Sequence, residues 1–271
     1  MDTFRAVRDL DFDIAVVVVD HADAVATYGN PTVPFEWASV TKLVSTWATL
    51  VAVDRGHVSL DDDAGPDGST LRHLLSHSSG LPFDKGAPIA PPGSKRIYSN
   101  RGIEVAAELV TERTGADFRT WTKEAVFDPL GMDSAEFHGS PAHGIRGTAV
   151  DLAEFARAVL NGLLLSPELV AEATTVQFPG LRGVLPGYGR QEPNDWGLGF
   201  EIRGEKDPHW TGNNNSPQTF GHFGWAGSFL WVDPRVHLAT VFVGAEPFSE
   251  VHQEAWPELS DGILADHAVL H

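Results

Sequence analysis

The chain has 271 residues, of which 42% are hydrophobic and 21% charged, a balance typical of one or two globular domains with a sizeable core. A formal net charge of -18 at pH 7 argues against nucleic acid or an anionic membrane as a partner. The absence of cysteine excludes disulfides, thiolate metal sites and a cysteine nucleophile.

The N-terminal segment is of mixed polarity and lacks the apolar stretch of a secretory signal, which predicts a cytoplasmic protein. The apolar run at residues 14–19 is too short to span a bilayer and is typical of a buried strand. We therefore expect a strand over residues 13–20, paired with a second strand over residues 24–28.

Ser39-Val40-Thr41-Lys42 begins a predicted helix over residues 39–53. Residues three apart share a helix face, so the Lys42 amine should lie beside the Ser39 hydroxyl. Burial at the positive end of a helix lowers a lysine pKa, which would let Lys42 take the proton of a serine nucleophile. The backbone N–H groups at the same helix end could bind an oxyanion. The alternative is an N-capping serine followed by a surface lysine.

Residues from about 71 to 175 are mostly helical in pattern and are broken by Gly and Pro loops. His73 and His77 have a zinc-compatible spacing, but Leu74 stands where the H-E-x-x-H motif has glutamate, and no third ligand is evident. We therefore expect structural roles for both histidines and no metal or other cofactor.

Tyr98-Ser99-Asn100 follows a Pro/Gly-rich loop and precedes a predicted helix over residues 102–114. Tyr28-Gly29-Asn30 has the same Y-x-N pattern but lies before Ser39, at the end of a strand, so we interpret it as structural.

After Gly180 the pattern changes to strands, predicted over residues 197–203, 218–223, 228–232 and 237–243. A final helix is expected over residues 249–269, with Pro257 and Gly262 as possible interruptions. Gly221-His222-Phe223-Gly224 lies among these strands. Early strands, a helical middle and late strands predict one antiparallel sheet beside a helical region.

Taken in order, these three motifs resemble those of the serine β-lactamase and penicillin-binding protein superfamily. The chain is most similar to the branch of class C β-lactamases, D-alanyl-D-alanine peptidases and related esterases, which has Y-x-N as its second motif and K-T-G or H-x-G as its third. The segments 74–82, 147–152, 159–162, 196–200 and 225–234 are also similar to that branch.

The resemblance implies an α/β (α+β) β-lactamase-like fold, in which an antiparallel sheet is flanked by helices and adjoins an all-helical region. Residues 1–70 and 181–271 would form the sheet region, and residues 71–180 the mainly helical one. The active site would lie between the two.

The resemblance also implies roles for the motif residues. Ser39 would be the acylated nucleophile, with Lys42 and Tyr98 transferring protons; which of the two is the base remains open. A nearby lysine ammonium would favour the Tyr98 anion. Asn100 would either donate its amide to the substrate carbonyl or hold Lys42. His222 would orient Tyr98 or bind substrate, with a pH-dependent charge.

The backbone N–H groups of Ser39 and Trp225 would form the oxyanion hole. Phe223 departs from the family pattern, since many relatives have a hydroxyl residue there that helps to hold a substrate carboxylate. If Phe223 faces the cleft as part of the substrate-binding set, an apolar acyl or ester substrate is favoured over β-lactams and D-alanyl peptides.

These expectations together predict a serine hydrolase that acts through an acyl-enzyme on small esters or amides. The first alternative is a β-lactamase or D-alanyl-D-alanine carboxypeptidase. An alternative of another class is a catalytically silent binding domain that kept the fold. In each case the partner would be a small ester, amide or β-lactam molecule, with no nucleic acid and no membrane.

Overall fold

The computed structural model describes residues 3–268, so the last residue of the predicted C-terminal helix, residue 269, lies outside them. Its strands are β1 Ile14–Val19, β2 Ala24–Gly29, β3 Phe35–Glu36, β4 Glu136–Phe137, β5 Ile145–Gly147, β6 Gly183–Leu185, β7 Gly189–Gln191, β8 Glu201–Ile202, β9 Phe220–Gly224, β10 Ser228–Asp233 and β11 Leu238–Gly244. Its α-helices are α1 Thr41–Asp54, α2 Leu71–Leu75, α3 Asn100–Thr114, α4 Phe118–Thr122, α5 Asp128–Leu130, α6 Ala149–Leu160, α7 Pro167–Ala173 and α8 Glu250–His267.

The principal sheet has six antiparallel strands in the order β2-β1-β11-β10-β9-β8. Early and late segments of the chain therefore meet at its centre, where Ile14 pairs with Gly244 and Val19 with Ala239. This arrangement confirms the predicted antiparallel sheet and the predicted pairing of the first two strands. The division into a sheet region and a helical region at residues 70/71 and 180/181 stays a prediction.

Strand β1 is buried along its whole length because both faces of the sheet are covered. Val17 and Val19 enter a core shared with helices α1 and α6, whereas Val16 and Val18 enter a second core shared with helix α8. The two cores follow from the alternation of side chains across a strand. The sheet is thus the middle layer of three.

Three predicted elements differ from the structure. Only Glu201–Ile202 (β8) of the strand expected over residues 197–203 is extended. The preceding residues form a tight turn, in which Gly199 has a φ of +76° and the Gly197 N–H donates to the Phe200 carbonyl. Helix α3 begins at Asn100 rather than residue 102, since the Ser99 hydroxyl caps it by accepting the Gly102 N–H. Pro257 lies inside the unbroken helix α8, whose buried face packs on the sheet.

Two small sheets were not predicted: β3-β5-β4, which holds the segment before Ser39, and the hairpin β6-β7. Within residues 3–268, no helix combines the length and the apolar composition needed to cross a membrane.

Candidate active site

Ser39 lies in a short 3-10 turn, Ala38–Val40, that leads into helix α1. Ala38 has a φ of +42°, which is uncommon for a residue with a Cβ, so the turn is held by its surroundings. The Trp37 N–H donates to the Ile145 carbonyl at 2.9 Å, and the Ser228 hydroxyl donates to the Trp37 carbonyl at 2.8 Å. The nucleophile candidate therefore sits on a turn fixed to two different strands.

Every residue of helix α1 from Thr41 to Ala52 is buried. The helix lies between the sheet and the other helices, so it has no solvent-facing side. Lys42 is therefore completely buried rather than on the surface, which contradicts the N-cap and surface-lysine alternative.

The Lys42 amine has three close partners. Its Nζ lies 2.6 Å from Asn100 Oδ1, 2.9 Å from the Ala142 carbonyl and 3.2 Å from Ser39 Oγ. Burial lowers the pKa of Lys42 to about 7, although the more distant carboxylates of Glu104 and Asp84 oppose the fall. A neutral amine has two N–H groups and one lone pair. The two carbonyl oxygens can take both N–H groups, which leaves the lone pair for the Ser39 hydroxyl.

Tyr98 lies against both Lys42 and His222. Its hydroxyl is 2.7 Å from His222 Nε2, and Lys42 Nζ is 4.7 Å from the centre of its ring. Burial raises the pKa of Tyr98 well above its usual value, although a hydrogen bond with Ser39 opposes the rise. The anion expected beside Lys42 is therefore disfavoured, because loss of hydration is the largest influence on this pKa.

His222 is buried at the centre of strand β9, and burial, assisted by Lys42, lowers its pKa to about 3. His222 is thus neutral near pH 7. The prediction that its charge depends on pH is therefore wrong for that range. Of the two roles expected for His222, its contact favours orienting Tyr98. The contacts of Asn100 likewise favour holding Lys42, since its other amide atom, Nδ2, lies 3.3 Å from Asp84 Oδ1.

Phe223 does not join this cluster, and placing it beside the substrate was wrong. Successive residues of a strand point to opposite faces, so Phe223 points away from the face on which His222 meets Tyr98. Its ring packs in the α8 core against Tyr188, Phe248 and Trp256. Phe223 therefore gives no reason to exclude carboxylate-bearing substrates.

Gly224 brings the end of strand β9 against the Ser39 turn. A Cβ at Gly224 would lie 2.5 Å from the Trp37 carbonyl oxygen and 3.0 Å from the Ser39 nitrogen, so only glycine fits without displacing backbone. Among residues 3–268, neither the Ser39 nor the Trp225 N–H donates to a protein acceptor. The two groups expected to form the oxyanion hole are therefore available to a ligand.

A cavity of about 640 Å³ opens beside Tyr98. Phe83, Ile89 and Val184, which line it, are large apolar side chains exposed by 51%, 65% and 59%. Ser39 itself does not line this cavity, so the cavity is a candidate for the part of a substrate distant from the reacting bond.

Sequence reasoning missed several neighbours of this site. Ala142 contributes only a backbone oxygen, which has no sequence signature. His77 and Trp196 pack their rings against Tyr98, with ring centres at 4.8 and 5.8 Å. His77 and Trp196 both lie in segments similar to the family pattern, and that similarity was the signal available for them.

The chain is similar to several known proteins. The family model described as Beta-lactamase matches residues 12–261. A crystal structure of a beta-lactamase from Mycobacterium bovis is 48% identical, with a TM-score of 0.94 over 95% of this chain and 96% of that one. Simvastatin synthase from Aspergillus terreus has the same fold at 17% identity, with a TM-score of 0.78 over 94% of each chain.

Among curated relatives, a Salmonella schwarzengrund protein provisionally named a D-alanyl-D-alanine carboxypeptidase is 26% identical over 231 residues. That match covers 65% of this chain and 51% of the relative. The chain thus spans about half the length of the curated relatives it matches.

Proposed function

This chain belongs to the Beta-lactamase family of serine hydrolases, and we propose that it hydrolyses small esters or amides through an acyl-enzyme on Ser39. The observation that carries the proposal is the environment of Lys42. A buried lysine with a pKa of about 7, two carbonyl acceptors and a serine hydroxyl at 3.2 Å is suited to act as a base at neutral pH.

In the proposed acylation, the Lys42 lone pair takes the Ser39 proton as Oγ bonds to the substrate carbonyl carbon. The Ser39 and Trp225 N–H groups stabilise the oxyanion. When the bond to the leaving group breaks, the Tyr98 phenol gives that group its proton, and the Lys42 ammonium restores the phenol. His222 orients the Tyr98 hydroxyl.

In deacylation, a water molecule takes the place of the leaving group. Lys42 takes a proton from this water while the water oxygen bonds to the acyl carbon. The bond to Ser39 then breaks, and Ser39 Oγ regains a proton from Lys42. Lys42 is favoured as the base over Tyr98, because burial places the lysine pKa near neutrality and moves the tyrosine pKa away from it. A silent binding domain is disfavoured, since Ser39 Oγ lies 3.2 Å and the centre of the Tyr98 ring 4.7 Å from Lys42 Nζ.

Hydrolysis of p-nitrophenyl butyrate by Ser39→Ala, with the exposed Ser59→Ala as control, tests the proposal. Ser39→Ala should lose roughly 10⁴-fold or more in kcat, and a fluorophosphonate should add its mass to Ser39 in the unmodified protein. The proposal fails if Ser39→Ala keeps more than about a tenth of the activity, or if the adduct maps to Ser79.

A β-lactamase is the second candidate, favoured by the 48% identity to the protein from Mycobacterium bovis. Nitrocefin turnover measured beside the butyrate ester distinguishes the two, since a β-lactamase should turn over nitrocefin with the higher kcat/KM. D-alanyl-D-alanine peptidase activity is tested by release of D-alanine. The cytoplasmic location and the lack of a nucleic-acid partner stay predictions.

A further inference from the structure

The cavity beside Tyr98 combines an apolar wall with a cationic rim. Four of its eleven lining residues are Lys or Arg and none is acidic, although the whole chain carries a net charge of -18. Lys95 and Arg182 are exposed and, among residues 3–268, take part in no hydrogen bond or ion pair through their side chains. Two unpaired cations on an acidic protein mark a place that attracts anions.

The cavity wall is part of the folded framework. Arg96 is buried, and its guanidinium donates to the carbonyl oxygens of Ser76, Gln177 and Asn194, while its N–H donates to the Arg182 carbonyl. These bonds join the segment before Tyr98 to the segment before strand β6. The cationic rim is therefore held at a fixed place relative to the proposed proton donor.

From these observations we propose that the preferred substrate is an ester or amide with an apolar chain that ends in a carboxylate. The chain would lie against Phe83, Ile89 and Val184, and the carboxylate would meet Lys95 and Arg182. The proposal rests on the hydrolase function proposed above, and it assigns the substrate class to that same site.

Two p-nitrophenyl esters that differ only in charge provide the test: the mono-ester of suberic acid and its methyl ester. The acid form should have a kcat/KM roughly 3- to 10-fold higher, the size expected for partly exposed ion pairs. The preference should fall in 0.5 M NaCl, because salt screens exposed charges. It should also fall in the double variant Lys95→Gln with Arg182→Gln.

Arg235→Gln is the matched control, since it removes an exposed charge at the far end of strand β10. Equal rates for the two esters, or a preference that survives in the double variant, would overturn the carboxylate proposal. Ser39→Ala should hydrolyse neither ester, and this result tests the hydrolase function independently of the preference for a carboxylate. The two proposals can therefore fail separately.

His77 accepts hydrogen bonds from the backbone on both sides of Tyr98. Its carbonyl oxygen accepts the Ile97 N–H at 2.8 Å, and its Nδ1 accepts the Ser99 N–H at 3.1 Å. His77 is 1% exposed, and its ring packs between Tyr98 and Trp196. Its φ of +55° is uncommon for a residue with a side chain, although Asn, Asp and His adopt it more often than other such residues.

We infer that His77 is a positioning residue for Tyr98. If Tyr98 protonates the leaving group, displacement of Tyr98 should slow reactions that need this proton and spare those that do not. A p-nitrophenolate departs without a proton, whereas an alkoxide needs one. This difference separates a role in positioning from a general loss of folded protein.

His77→Leu and His77→Asn should be compared on p-nitrophenyl butyrate and ethyl butyrate. The leucine variant removes the acceptor and should lose at least about tenfold more kcat on the ethyl ester than on the p-nitrophenyl ester. The asparagine variant tolerates a positive φ and offers Oδ1 to the Ser99 N–H, so it should recover much of that difference. Equal losses on both esters in the leucine variant, or no recovery with asparagine, would overturn the inference.

Discussion

Two lysines in the described part of the chain are buried, and they differ in the charge of their neighbours. Lys42 meets carbonyl oxygens and a hydroxyl, and its pKa falls to about 7. Lys206 Nζ lies 3.2 Å from the carboxylate of Glu201, which also contacts His209 at 2.9 Å and Trp210 at 2.7 Å.

Burial alone would raise the pKa of Glu201, but Lys206 and His209 lower it to about 2. Burial also lowers the pKa of Lys206, and the adjacent carboxylate opposes that fall. Lys206 also donates to the carbonyl oxygens of Asp195 and Ile202, so the carboxylate among its acceptors is what distinguishes it from Lys42 and makes it half of an ion pair.

Removing the amine of Lys42 gives the largest expected effect on activity. Lys42→Met should lower kcat for p-nitrophenyl butyrate by roughly 10⁴-fold, because Ser39 loses its proton acceptor. Near-ultraviolet circular dichroism should show native packing in the same sample. Activity within tenfold of the unmodified protein would remove Lys42 from the proposed mechanism.

The same substitution at the other lysine should affect stability instead. Lys206→Met leaves the buried Glu201 carboxylate without its ion-pair partner, which should cost about 3–5 kcal/mol in the free energy of unfolding, measured in urea. The kcat of the folded fraction should change by less than about threefold, since Lys206 does not contact Ser39. A large loss of kcat with unchanged stability would show the comparison to be mistaken.

Asn100→Asp should convert the Lys42 site into one that resembles the Lys206 site. A carboxylate at 2.6 Å from Nζ should raise the pKa of Lys42 from about 7 to roughly 8–10, and thereby reduce the neutral amine at pH 7 by roughly 5- to 500-fold. Activity should then recover as the pH is raised. Glu104→Gln removes a carboxylate that raises this pKa, so it should move the pH profile in the opposite direction.

The smallest of the expected effects is the pH dependence of the unmodified enzyme. The neutral Lys42 amine is the active form and exists above its pKa, so kcat/KM should be lost as the pH falls through about 7. The loss should approach tenfold per pH unit in profiles taken between pH 5 and 9. A flat profile over that range would rule out Lys42 as the titrating base.

The sequence motifs predicted much of the fold and identified four side chains that the structure brings together. Ser39, Lys42, Tyr98 and His222 were predicted from spacing and resemblance, and the structure places them within one cluster. The orientation of Phe223 was not predictable, because a one-residue change in strand register exchanges the two faces.

The protonation states of the site residues could not be predicted from the sequence either. The pKa values of Tyr98 and His222 depend on how deeply each group is buried, which is set by packing from distant segments. The second acceptor for Lys42 is the Ala142 backbone, which any residue type could supply. Sequence spacing thus predicted which groups meet, whereas their electrostatics required the assembled layers.

The pairing of strand β1 with strand β11 has a consequence for biosynthesis. Ile14 is synthesised 230 residues before its partner Gly244. The same holds for Ser39, whose turn is closed by Gly224 and Ser228. Pairings of such high sequence separation form late and slowly, so a nascent chain must keep its valine-rich first strand from aggregating until then. A nascent chain stalled before Gly244 has emerged from the ribosome should therefore show no hydrolase activity.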